Sequence, residues 1–257
     1  MTQDERLDYL LRYLLAERKE YADIHVPDGI SEKHRLLRSL MNVRPPVPAS
    51  AEFLAVQDAY LQERLAERGV TRFQDLKPMQ SGLYLWQGDI TTLAVDAIVN
   101  AANSQMLGCF VPCHGCIDNA IHTYAGVQIR LECAKIMRKQ GHEEETGTAK
   151  ITKGYNLPCR YVLHTVGPII YGAVKKKDRE LLASCYRSCL DLAAENGLHS
   201  VAFCCISTGE FHFPNELAAQ IAIQTVRAWQ QQSDNNIEVI FNVFKDSDYK
   251  IYERLLR

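Results

Sequence analysis

Residues 96–122 read DAIVNAANSQMLGCFVPCHGCIDNAIH, and the order of their chemistry decides the architecture. The run DAIVN carries Ile and Val without polar alternation, which suits a strand covered on both faces by helices. It enters a turn of Asn, Ser and Gly, and then a set of soft metal ligands: Cys109, His114 and Cys116 fall within eight positions. Two thiols and one imidazole can close on a single Zn²⁺. With no obvious fourth ligand beside them they match a catalytic zinc, which keeps a position open, whereas Cys113 or a distant side chain would complete a closed structural clip. Paired CxxC knuckles typify structural zinc, and the spacing here is different. Asp118 and Asn119, at the head of the next helix, are also residue types that cap helices.

On the N-terminal side, Leu7, Leu10, Leu11, Leu14 and Leu15 repeat at helical spacing behind Thr2 and Glu5 in capping-box register. A second helix follows Ser31 with Leu36, Leu37, Leu40 and Met41 inward, and RPPVPAS from Arg44 stops it. Ser50 caps a third helix, carrying Phe53, Leu54, Leu61 and Leu65, that ends at Gly69. Residues 1–80 therefore read as a helical extension and residues 81–257 as an α/β unit. There the short apolar runs LYLW, DAIVN, RYVLHTV, SVAFCCIS and IEVIFNVF alternate with helical segments, VQIRLECAKIMRK, DRELLASCYRSCLDLAAEN, NELAAQIAIQTVRAW and SDYKIYERLL.

Composition limits the function. A chain of 257 residues with 47% hydrophobic content buries a substantial core, and a net charge of -2 without a long basic block argues against a nucleic-acid surface. KKKDR near Lys175 is too short to reverse this. No apolar run reaches the roughly 18 residues of a membrane span, and the N-terminus lacks the basic-then-apolar order of a signal peptide. The expectation is a cytoplasmic protein without membrane contact. Nine cysteines, an odd number in no regular framework, then read as thiols and ligands. Cys185, Cys189, Cys204 and Cys205 read as core, as do Tyr84 and Trp86. His164 reads as a hydrogen-bonded strand-end residue, and 143–145 as a solvated loop.

Ligands of α/β sheets collect beyond the carboxyl ends of the strands. Three loops there, GDI at Gly88, NAANSQMLG at Asn100 and STGEFHFP at Ser207, combine small and polar residues that let backbone N–H groups approach phosphate. Neither GxGxxG nor GxxxxGK[ST] occurs, which counts against a standard dinucleotide fold or a P-loop.

Taken in order, GDITTLAVDAIVNAANSQMLG, IDNAIH, TGTAKITKGYNLPCRYVLHTVGP and STGEFHFPNELA resemble the signatures of the macrodomain, an ADP-ribose-binding module, from about residue 83 to the C-terminus. The nearest branch removes ADP-ribose from acidic side chains. The resemblance implies a three-layer α/β/α fold with a mixed central sheet, here following a helical extension. CFVPCHGC stands where ordinary members of that branch carry a glycine-rich run, and it resembles the zinc-containing subgroup, often found with bacterial sirtuin-type ADP-ribosyltransferases. By this resemblance Asp89 holds the adenine amino group and Ile90 lies beside the ring. Asn103 faces the distal ribose, and Ile117, Asp118 and Asn119 support the diphosphate and ribose. Ser207, Thr208, Gly209, Glu210 and Phe211 wrap the diphosphate and distal sugar. Cys109, His114 and Cys116 hold Zn²⁺ and Cys113 does not. The chemistry of such a site then makes Asn103 and Asp118 the expected catalytic residues, Asp118 orienting or deprotonating a water or a ribose hydroxyl and Asn103 fixing the sugar. The expected function is zinc-dependent hydrolysis of mono-ADP-ribose from acidic side chains of proteins. The alternatives are a non-catalytic ADP-ribose reader and a hydrolase of small ADP-ribose esters.

Overall fold

The computed structural model describes residues 1–233 and 235–257. Thr2 caps the first helix, α1 (Gln3–Ala16), in a reciprocal capping box with Glu5. α1 packs with α2 (Ile30–Val43) and α3 (Ala51–Arg68). Their apolar stripes meet in one cluster, in which Leu7, Leu11, Leu37, Leu40, Phe53 and Leu61 are buried. Ser50 caps α3 through the Phe53 N–H, and Gly69, at φ 80, ends it.

The chain continues through β1 (Thr71–Arg72), β2 (Pro78–Gln80), β3 (Leu83–Gln87), β4 (Leu93–Ala94) and β5 (Ala97–Ala102). Then come α4 (Ile117–Ala125), α5 (Val127–Gln140), β6 (Ala149–Lys153) and β7 (Tyr161–Val166). α6 (Lys176–Glu195), β8 (Ser200–Phe203), α7 (Asn215–Gln232), β9 (Glu238–Val243) and α8 (Asp246–Leu256) complete it. Seven strands form one sheet in the order β2-β3-β9-β8-β5-β7-β6. The five inner strands are mutually parallel, and β2 and β6 are antiparallel edges, so the sheet is mixed. α4 and α5 pack against β5 and β6 on one side, and α6, α7 and α8 cover the other, giving three layers. Ile98, Val99, Val162, Leu163, Val239 and Ile240 are fully buried, which is why the inner strands read as unbroken apolar runs. α2 packs on α4, so the N-terminal helices stack outside that layer.

Within residues 71–80, grouped by composition with the helices, Thr71–Arg72 pair as β1 with β4 and Pro78–Gln80 as β2 with β3, on either side of a 3-10 turn at Phe73–Asp75. Strands of two and three residues carry no readable alternation, so the helical segment ends at Arg68. Cys185 and Cys189 lie fully buried on α6, and Cys204 is buried just past β8. Tyr84 and Trp86 are only partly buried at the margin of the core. Among the described residues no helix is long and apolar enough to cross a membrane.

Candidate active site at the carboxyl ends of the parallel strands

The loops after β3, β5 and β8 meet at one edge of the sheet. The first is pinned by β9, where Val243 O accepts from the Gly88 N–H at 3.0 Å and the Asn242 amide donates to Gly88 O at 2.9 Å.

In the second loop Cys109, His114 and Cys116 are half-buried, and their ligand atoms lie within 4.8 Å of one another. Cys109 Sγ is 3.6 Å from His114 Nδ1. Tetrahedral bonds of about 2.3 Å to sulfur and about 2.0–2.1 Å to nitrogen would separate those atoms by about 3.6 Å, so the donor set fits zinc. His114 Nε2 faces outward, 3.5 Å from Glu210 Oε1 of the third loop. A carboxylate on the free ring nitrogen is the usual way to orient a ligating imidazole. Burial, with Cys109 and Asp118 nearby, pushes the Cys116 thiol up to about 12, against the Asn119 N–H that bonds it. A metal there must displace that proton.

Cys113 is turned away from the triad. Its backbone has φ 53, its N–H donates to Asn42 Oδ1 at 2.9 Å, and its thiol lies against Ser39 Oγ at 3.2 Å and Arg35 O at 3.4 Å. α2 thus anchors Cys113 on the far side of the loop.

Beneath the triad lies Asp118, only 4% exposed. It does not cap α4; Cys116 does, its thiol accepting from the Asn119 N–H at 3.4 Å. Asp118 Oδ1 accepts from Asn100 Nδ2 at 2.8 Å and Oδ2 from Asn103 Nδ2 at 3.4 Å. Burial pushes its carboxyl up to about 6, opposed by the Asn100 bond and the Arg130 charge. Asn100 Nδ2 also donates to His164 Nδ1 at 3.1 Å, so the other ring nitrogen carries the proton and donates to Thr152 Oγ1 at 2.9 Å. Burial holds His164 down to about 3, hence neutral. His122, Cys133 and His164 form a second group of ligand-type atoms within 4.8 Å. Both nitrogens of His164 are already bonded, so this group reads as buried polar core.

The neighbouring asparagines are committed. Asn103 Nδ2 also donates to Gly108 O at 3.2 Å, and its Oδ1 accepts from the Gln105 N–H at 3.1 Å, so it shapes the turn while touching Asp118. Asn119 is fully buried: Oδ1 accepts from Arg38 Nη2 at 2.8 Å and Nδ2 donates to Val111 O at 2.9 Å. Its amide braces the loop. Ile117 is half-buried against the main core.

In the third loop Ser207 is buried at φ 64, and its Oγ has no partner among the described residues. Phe213 N–H donates to Ser207 O at 2.9 Å and Ile170 N–H to Phe211 O at 2.9 Å, closing the loop. Thr208 Oγ1 donates back to Cys205 O at 3.0 Å. Gly209 and Glu210 are exposed, and among the described residues no carbonyl accepts from the N–H groups of Gly209, Glu210 or Phe211. Such free amides suit an anion.

At the other end of the edge, Asp89 Oδ1 accepts from the Thr91 N–H at 2.9 Å, while Oδ2 pairs with Arg68 Nη1 at 3.0 Å. The Asp89 side chain stays 39% exposed, and Ile90 is buried beside it. The Arg68 guanidinium sits 3.7 Å over the Tyr124 ring. Sequence reasoning missed Arg38, Arg68, Asn100 and Arg130, because each acts across a long stretch of chain with no local motif.

A family model described as "Macro domain" matches residues 99–222. A protein of Treponema medium named "Protein-ADP-ribose hydrolase" is 57% identical over 100% of both chains. A protein of Fusarium oxysporum f. sp. cubense named "Probable bifunctional ADP-ribose hydrolase/ADP-ribosyltransferase" is 42% identical over 88% of this chain and 41% of its own length. The crystal structure of a Trypanosoma brucei macrodomain in complex with ADP-ribose superposes with a TM-score of 0.67 at 33% identity, covering 86% of this chain and 95% of that one.

Proposed function

This chain belongs to the macrodomain family, and on that premise we propose that it is a protein-ADP-ribose hydrolase that binds zinc through Cys109, His114 and Cys116 and releases mono-ADP-ribose from acidic side chains. The observation that carries the reading is the convergence of the Cys/His triad, the buried Asp118 and Glu210 at one edge of the sheet. A full-length relative at 57% identity bearing the hydrolase name supports the activity.

Each residue then has a task. Asp89, with a partly exposed carboxylate held by Thr91 and Arg68, accepts from the adenine amino group. The free amides of 209–211 cradle the diphosphate. Asn103 and Asp118 meet at the distal ribose, where a carboxyl poised near about 6 takes a proton from the attacking water or a ribose hydroxyl. Asn100, fixed by His164, keeps that carboxylate aimed. Bound zinc supplies a Lewis acid that polarises oxygen and stabilises negative charge. Water adds across the linkage, giving free ADP-ribose and a protein carboxylate. The Fusarium relative, named for both activities, supports a pairing of this hydrolase with an ADP-ribosyltransferase; the sirtuin type rests on the sequence resemblance alone.

The test is release of ADP-ribose from a protein modified on acidic side chains, with and without a zinc chelator. Chelator-sensitive release is expected, abolished by Asp118→Ala. Release indifferent to the chelator removes zinc from the mechanism, and binding of ADP-ribose without release removes the hydrolase.

A further inference from the structure

The loop that carries the triad has almost no secondary structure of its own. Between Cys109 and Cys116 its internal backbone bonding is the His114 N–H to Val111 O at 3.2 Å, and Cys113 sits in the left-handed region at φ 53. Three ligand side chains do not stay convergent on such a segment unless something outside it fixes the backbone.

The outside support comes from α2. Arg38 donates from Nη2 to His114 O at 3.0 Å and from Nε and Nη2 to Asn119 Oδ1 at 3.2 and 2.8 Å. One rigid guanidinium thus joins the carbonyl of a ligand residue to the first turn of α4. Asn119 passes the restraint on, donating from Nδ2 to Val111 O. One turn along α2, the fully buried Asn42 accepts from the Cys113 N–H and donates to Thr123 Oγ1 at 2.9 Å. The function proposed above uses the N-terminal helices only through Arg68 of α3, which holds Asp89, and gives α2 no task.

We propose that α2 is a working part of the site, with Arg38 a positioning residue that holds the loop 109–116 in ligand-binding geometry and Asn42 its second anchor. The inference rests on the zinc reading. Arg38 touches neither substrate nor metal; it acts through the His114 carbonyl and the Asn119 amide. Removing it frees the loop backbone while leaving the three ligand side chains in place.

The experiment measures zinc affinity by competition with a chromophoric chelator, together with kcat, KM and thermal midpoint, for the native chain, Arg38→Ala, Arg38→Lys and Leu37→Ala. Leu37 lies on the same helix but points into the N-terminal cluster, so its variant controls for general destabilisation. Changing a group that orients a metal ligand costs about 10–100-fold in affinity. Arg38→Ala should therefore bind zinc at least about tenfold more weakly and lose kcat more than KM changes, and Arg38→Lys, which cannot span both acceptors, should fall between it and the native chain. Leu37→Ala should lower the midpoint and leave zinc affinity within about twofold. If Arg38→Ala does not fold, the Arg38→Lys comparison decides. Native-like zinc affinity in the folded Arg38 variants, or an equal loss in Leu37→Ala, overturns the inference while leaving the zinc reading intact. A native chain that binds no zinc overturns both.

Discussion

At the scale of single residues, Ser207 holds the third loop in a left-handed conformation against Gly167, where an added Cβ would lie 2.0 Å from Ser207 Oγ and 2.8 Å from Ile206 Cγ2. Gly167→Ala must push the loop outward and spread the amides of 209–211. Overpacking of this kind costs about 1–3 kcal/mol, and each 1.4 kcal/mol is about tenfold in affinity. ADP-ribose binding measured by calorimetry should weaken by about tenfold or more; native affinity in a folded Gly167→Ala would take the third loop out of the ligand site. Some of the site could be read from sequence and some could not. Cys109, His114 and Cys116 were legible because few side chains ligate zinc and these lie close together in the chain. Asp118 came through the resemblance, but its environment did not: Asn100 meets His164 only because β5 and β7 run in that register. The same tertiary logic explains two misreadings. His164, expected at a strand end, lies within β7, and Glu144, expected in solvent, is buried with Gln140, Thr148 and Lys150 bonded to it.

At the scale of elements, periodicity served wherever an element was long. α1 and α3 start at their expected caps, Gly69 ends α3, and the inner strands fall where the apolar runs placed them. β6 escaped notice because AKITK is an edge strand: lysines at 150 and 153 guard it, and its alternation is masked. What ties the inner strands together at their amino ends is Asp96. Its Oδ2 accepts from the His199 and Ser200 N–H groups at 2.8 and 3.2 Å, and its Oδ1 from Arg160 Nη1 at 3.1 Å. Burial alone would raise this carboxyl, but the His199 N–H, Arg160 and the Ser200 N–H outweigh it and hold Asp96 below the usual carboxylate range. A group depressed in the folded state stabilises fully above its unfolded pKa, about 3.9 for Asp, and the contribution is lost as pH falls through the folded value. Asp96→Asn should therefore cost about 1.5–3 kcal/mol at pH 7, the worth of a hydrogen bond to a charged group. The gap from the native chain should narrow as the medium is acidified below about pH 4. Urea midpoints at the two pH values check this; a gap independent of pH would mean that the carboxylate charge contributes nothing.

At the scale of the whole molecule, the N-terminal helices pack directly on the sheet-bearing unit. Four separate contacts join them. Val127 of α5 is buried inside the N-terminal cluster, and its N–H donates to Gln57 Oε1 at 2.9 Å. Arg130 of α5 is buried and donates to the carbonyls of Met41 and Arg44. Asn156 donates to Asp58 Oδ1 at 2.7 Å, and Arg68 joins Asp89. Stripping the helices away would take the Met41 and Arg44 carbonyls from Arg130, leaving it only Leu107 O, bare the apolar surface around Val127 at about 25 cal/mol per Å² of apolar area exposed, and leave the loop 109–116 unbraced. The two parts should therefore unfold as one. Calorimetry of the full chain should show a single transition whose calorimetric and van't Hoff enthalpies agree, and a chain lacking residues 1–69 should melt far lower. Two resolved transitions, or a truncated chain that keeps the native midpoint, would make the helices a separable module, and the interface through Arg38, Asn42 and Arg68 would then be an accident of packing rather than the frame that holds the site.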